Sequence, residues 1–121
     1  MKLPTWPQYS EKYIEKVSEV IKSGKVNYWT GNEGSLFEKE FGNFVNCKYS
    51  IALSNGTLAL EAAYKSLGLS SGDEFITTPR TYIATAMAGC TLGAIPIFAD
   101  VDLNSGCITA DSIDKCITDK T

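Results

Sequence analysis

Histidine is absent from all 121 residues, and that absence excludes several kinds of chemistry at once. The commonest general base is missing, and with it any Ser-His-Asp or Cys-His arrangement. Four cysteines occur, Cys47, Cys90, Cys107 and Cys116, but no two form a C-x-x-C pair. A zinc site of ordinary spacing is therefore not expected. The scattered thiols read as reduced, small buried hydrophobes of a cytoplasmic protein. No run approaches the ~18 apolar residues that a membrane span needs. Met1-Lys2-Leu3-Pro4 lacks the apolar stretch of a secretory signal. The eleven basic residues are dispersed and the net charge is −3, so no basic face for nucleic acid is expected. Neither G-x-x-x-x-G-K-[ST] nor G-x-G-x-x-G occurs. Any chemistry here must rest on a cofactor, a lysine, a carboxylate or a tyrosine.

What is present is an ordinary globular composition, 44% hydrophobic and 21% charged. Residues 1–8 read as an extended arm. Ser10 is a fitting N-cap for a helix over 11–23, where Tyr13, Ile14, Val17, Val20 and Ile21 fall at helical spacing and Gly24 marks the stop. Residues 25–34 are an aromatic, glycine-rich loop. Ser35-x-x-Glu38 has the form of a capping box and opens a second predicted helix to about Asn46, with Leu36, Phe37, Phe41, Phe44 and Val45 on one face. A strand is expected at Tyr49–Leu53, a tight turn at Ser54-Asn55-Gly56, and a third helix from Thr57 to Leu67. A turn at 70–73 precedes a strand from Glu74 to Thr78. Tyr82–Leu92 reads as a helix of small residues, Ile95–Ala99 as a strand, 102–106 as a turn and 110–118 as a last helix. Strands alternating with helices argue an α/β architecture with a parallel sheet.

Two stretches carry candidate chemistry. Ser54-Asn55-Gly56-Thr57 sits where a strand would give way to a helix. The first N–H groups of such a helix have no internal partner, and with the helix dipole they favour a phosphate. Gly56 admits close approach of an anion to the backbone, and the hydroxyls of Ser54 and Thr57 add donors. An ordinary capped helix without ligand explains the same residues. Thr77–Ala86 follows a strand end, where ligand crevices of open α/β sheets lie. Tyr82 there is suited to stack on a planar ring, or to be a half-buried core residue. Asp100 and Asp102 read first as a turn signal and only second as acid or base. Tyr28 and Trp29 either grip a substrate or partner subunit, or pack on their own domain.

In order along residues 24–121 the chain shows Tyr28-Trp29-Thr30-Gly31 with Phe37-Glu38-Lys39-Glu40-Phe41. Ser54-Asn55-Gly56-Thr57-x-Ala59-Leu60 follows, then Leu67-Gly68 with Gly72-Asp73-Glu74-Phe75-Ile76. Pro79-x-Thr81-Tyr82-x-Ala84-Thr85 and Gly93-Ala94-x-Pro96-Ile97-Phe98-x-Asp100-Val101-Asp102 complete the series. Each piece alone is weak, but together and in this order they resemble the DegT/DnrJ/EryC1/StrS family of pyridoxal-phosphate (PLP) sugar aminotransferases.

The resemblance implies a partial large domain of the fold-type-I PLP-dependent transferase fold. Residues 1–24 would form an arm and helix, and 25–121 an incomplete PLP-binding large domain. By the family pattern Gly56 and Thr57 hold the cofactor phosphate, Asn55 shapes that turn, Tyr82 stacks on the pyridine ring, and Tyr28 and Trp29 reach the nucleotide-sugar substrate. It also implies an amino group taken from glutamate, a keto-sugar acceptor, a role in polysaccharide or amino-sugar biosynthesis, and a homodimer. The family's cofactor-bearing lysine and ring-pairing carboxylate have no counterpart in 1–121. The chain is thus expected to end before the catalytic lysine and to be inactive alone; a partial α/β sheet, with a strand edge and a helix face uncovered, is expected to aggregate or pair with itself. Two other classes fit the same residues: a dehydratase or regulatory relative of the PLP fold, and a non-enzymatic module that binds a phosphorylated ligand.

Overall fold

The first helix forms where the apolar spacing puts it. In the computed structural model, which describes residues 5–121, α1 spans Glu11–Ser23. Ser10 stands at its N-cap, and Gly24 ends it with its N–H on the Ile21 carbonyl. Residues 1–4 of the expected arm lie outside the described residues. The stripe formed by Tyr13, Ile14, Val17 and Ile21 stays at least half exposed.

The second helix, α2, spans Glu33–Phe44 and begins earlier than the sequence pattern suggests. The Ser35–Glu38 capping box does not form. Asn32 is the N-cap and its carbonyl already accepts from Leu36 N at 2.9 Å, so Ser35 falls inside the first turn and its hydroxyl donates back to the Asn32 carbonyl. Phe37 and Phe41 stack at 5.7 Å on the expected apolar face. The strand expected at Tyr49–Leu53 is also absent: the segment is irregular. A strand exists only through its ladder, and among the described residues nothing pairs with this one. Ile51 accordingly stands 78% exposed.

Contacts divide the chain into two units, Met1–Ala52 and Leu53–Thr121. The second contains α3 (Gly56–Ser66), β1 (Glu74–Thr77), α4 (Ala84–Cys90), β2 (Ile95–Phe98) and α5 (Ala110–Asp114). β1 and β2 pair in parallel, with Glu74 opposite Ile95 and Thr77 opposite Phe98. Bonds from Ile95 N to Asp73 O and from Ala99 N to Thr77 O extend the ladder at both ends. α4 is the crossover between them, as parallel pairing requires.

The core of this unit is built from small side chains: Ala84, Ala86, Ala88, Ala94 and Ala99 are buried, with Thr77 beside them. Gly89 lies against the Phe75 ring so closely that a Cβ there would collide with it. Tyr64 of α3 packs on Phe75 at 5.6 Å and its hydroxyl donates to the Thr85 carbonyl at 3.4 Å, tying α3 to the β1–α4 pair. Small residues thus bring helix and sheet backbones close, while each buried methyl contributes under about 1 kcal/mol.

After β2 the chain makes a hairpin held by an antiparallel bridge between Val101 and Ile108. α5 is capped by a reciprocal pair, Thr109 Oγ1 accepting from Ser112 N and Ser112 Oγ from Thr109 N. It stops at Asp114 rather than at 118. There the hydroxyls of Thr118 and Thr121 take the N–H groups of Lys120 and Thr118, competing with a continued helix. The segment then returns to β1, where Glu74 N donates to the Lys120 carbonyl at 2.8 Å.

The reading of all four cysteines as buried does not hold. Cys47 and Cys107 are exposed, Cys90 and Cys116 half-buried, and none is in a disulfide. Among the described residues no helix is long and apolar enough to cross a membrane.

Candidate functional site

The N-terminus of α3 is built by one side chain. Asn55 is extended, and its Oδ1 accepts from Leu58 N at 3.0 Å while its carbonyl accepts from Ala59 N. That cap satisfies one orphan donor of the first turn and leaves the N–H groups of Gly56 and Thr57 without a partner among the described residues. Gly56 is exposed, and a Cβ built there meets nothing within 4 Å. Its φ is not in the left-handed region either. Neither backbone strain nor crowding within the chain calls for glycine, so the open space beside two free donors is what its missing side chain provides. Eleven residues of aligned peptide dipoles stand behind that space. These residues fit a phosphate ester.

Tyr82 lies in the loop between β1 and α4. It does not open the helix as expected: α4 starts at Ala84, and the preceding turn is of the tighter i to i+3 kind, with Thr85 N on the Tyr82 carbonyl at 3.0 Å. Tyr82 is 77% exposed, which excludes a place in the core. Because β1 and β2 run parallel, their carboxyl ends share one edge of the sheet. The Tyr82 loop and the Asp100–Gly106 segment both leave from that edge. A Cβ on Gly106 would strike the Arg80 guanidinium, so the loop and the hairpin are in contact there. Asp102 is a turn residue, as its spacing suggests. Its carboxylate accepts from the backbone of Ser105 and Asn104, which holds it below the ordinary carboxylate range. Asp100 accepts only from its neighbour Val101 N among the described residues.

Tyr28 and Trp29 belong to the first unit. Their rings meet edge to face at 6.2 Å, and Trp29 is 91% exposed. The loop that carries them is set by two residues whose part the sequence reading missed. Asn27 Oδ1 accepts from Trp29 N, Thr30 N and Thr30 Oγ1. Glu38, freed from the capping role expected of it, accepts from the Tyr28 phenol at 3.0 Å and from Ala52 N at 2.8 Å. The bond to Glu38 pushes the Tyr28 phenol above its ordinary value, and the adjacent negative charge adds to the effect. Asn immediately before an aromatic pair was a readable turn signal; the reach of Glu38 was not readable.

The model of the DegT/DnrJ/EryC1/StrS aminotransferase family matches residues 7–121. The chain belongs to that family. It is 36% identical over 115 residues to the spore coat polysaccharide biosynthesis protein SpsC of Bacillus subtilis, covering 95% of this chain and 29% of SpsC. The aminotransferase of Psychrobacter cryohalolentis superposes with a TM-score of 0.94 at 46% identity, covering 99% of this chain and 30% of that one. NtdA of Bacillus subtilis, solved with bound cofactor PMP, superposes with a TM-score of 0.81 at 33% identity over 88% of this chain and 24% of NtdA. The chain therefore spans about a quarter to a third of the length of these proteins and has an α/β fold matching that part of the solved structures.

Proposed function

We propose that these residues are part of a PLP-dependent aminotransferase that moves an amino group from glutamate to a keto carbon of a nucleotide-linked sugar, in polysaccharide or amino-sugar biosynthesis. The observation that carries this reading is the family match over 7–121 coinciding with two free N–H groups at Gly56 and Thr57. Those two groups would bind the cofactor phosphate, Asn55 would hold the turn in shape, and Tyr82 would cover one face of the ring and exclude water from it. PLP, when bound, supplies the electron sink that lets a proton leave the carbon bearing the amino group. Tyr28 and Trp29 would contact the sugar nucleotide. The protein is read as a cytoplasmic homodimer.

The 121 residues by themselves are proposed to be inactive, because no lysine among them matches the one by which the family carries its cofactor. The test uses the full-length protein and the 121-residue chain side by side. Each is mixed with PLP, dialysed, and offered glutamate with a panel of nucleotide-linked keto-sugars. Retained visible absorbance and aminated sugar from the full-length protein alone are expected. Loss of water from the sugar without amination would assign a dehydratase instead, and retained absorbance in the short chain would overturn its inactivity.

A further inference from the structure

Glu38 uses both oxygens of one carboxylate on two separate stretches of chain. Oε2 accepts from the Tyr28 phenol at 3.0 Å and Oε1 from the Ala52 N–H at 2.8 Å. It makes no ion pair among the described residues. Tyr28 is further confined because its ring lies over Gly34, where a Cβ would come within 2.8 Å of Cδ2. With the phenol committed to Glu38, what Tyr28 can offer a ligand is its ring, standing edge to face with the indole of the exposed Trp29. Asn27 fixes the backbone at Trp29 and Thr30 from within the loop, and Glu38 holds the Tyr28 side chain from α2.

We propose that Glu38 is a positioning residue for acceptor recognition, holding the Tyr28–Trp29 face in place through the Tyr28 hydroxyl while it anchors the chain at Ala52. The inference rests on the reading of Tyr28 and Trp29 as the sugar-nucleotide contact. It assigns Glu38 no contact with substrate or cofactor. Both bonds are charge-assisted, the stronger class of protein hydrogen bond.

The test compares Glu38→Ala, Glu38→Gln and Tyr28→Phe in the full-length protein. Glu38→Ala is expected to raise the acceptor KM by about tenfold, the effect of one hydrogen bond to a charged group, with kcat little changed. Conversion of the bound cofactor by the amino donor alone, followed by absorbance, should keep its rate. Glu38→Gln should restore the KM, because its amide oxygen can accept from Ala52 N and its NH2 can donate to the phenol oxygen. A wild-type acceptor KM in Glu38→Ala, or an equal slowing of the donor step, overturns the proposal. If Glu38→Ala does not fold, Tyr28→Phe decides: a raised acceptor KM with an intact donor step supports it, and an unchanged KM sinks it. A readout independent of turnover is hydrogen exchange at Ala52, expected to quicken in Glu38→Ala and not in Glu38→Gln; unchanged exchange overturns the anchor. Failure of the wild-type protein to aminate any keto-sugar would instead refute the substrate reading, while the exchange result still judges Glu38.

Discussion

The phenol of Tyr28 donates to Oε2 of Glu38 at 3.0 Å, across ten residues of chain and onto a different helical turn from the one that sequence spacing assigns to Glu38. The bond holds Tyr28 protonated to higher pH than a free phenol. The sign follows directly. A group with a raised folded value contributes stability that is complete below the ordinary tyrosine range near ~10 and is lost as pH rises through the folded value. In ultraviolet titration of the protein, Tyr28 is expected to ionise late, and Tyr28→Phe should remove that late component. Glu38→Ala should bring it back toward the ordinary range.

Gly56 and Asn55 should separate ligand binding from folding. Gly56→Ala adds a methyl where the chain has nothing within 4 Å. Thermal melting of the ligand-free full-length protein should therefore move by no more than about 2 °C. PLP affinity, measured by titration, should fall about tenfold or more as the methyl enters the phosphate space. Asn55→Ala removes the cap on Leu58 N and should cost about 1 kcal/mol of stability, with Asn55→Asp retaining most of it.

Two glycines past helix ends should respond differently to the same substitution. Gly68 has φ +88° and open space around it, so Gly68→Ala carries only the left-handed backbone cost of about 1 kcal/mol. Gly93, at φ +82°, would in addition press its Cβ to 2.9 Å from that of Ser71 and 3.2 Å from the Ser71 backbone. Gly93→Ala should therefore cost about 2 to 3 kcal/mol in denaturant titration. Equal losses at the two positions would contradict this.

Asp73 sets part of the acid limit. Its carboxylate accepts from the hydroxyl and the N–H of Ser70, both at 2.8 Å, and these bonds hold it below the ordinary carboxylate range. A depressed folded value contributes stability that is present above about pH 4 and is lost as pH falls further. Asp73→Asn should therefore narrow the stability difference between neutral and acidic pH. The check is the denaturation midpoint of both proteins measured from pH 7 down to pH 3.

The second unit of the fold was largely legible because its signals are local. The small-residue stretch of α4 showed a helix pressed on a sheet, and the 70–73 turn followed from glycine and aspartate chemistry; in the first unit, helical spacing likewise located α1. The misreadings share a cause. Tyr49–Leu53 has strand composition but no ladder partner among the described residues, Ser35-x-x-Glu38 has a capping pattern but lies inside a helix capped at Asn32, and α5 is cut short at Asp114 where the hydroxyls of Thr118 and Thr121 take nearby N–H groups.

The sequence by itself determined the order of the five helices and of β1 and β2, the family resemblance, and the turn at Asn55–Thr57, because backbone propensity and capping act within a few residues. Only the tertiary structure decided that Glu38 serves Tyr28 and Ala52, that Tyr82 stands outside the core, and that Thr118–Lys120 closes on Glu74. A side chain with several possible partners takes the one that packing brings within about 3 Å, and chain spacing does not encode that distance.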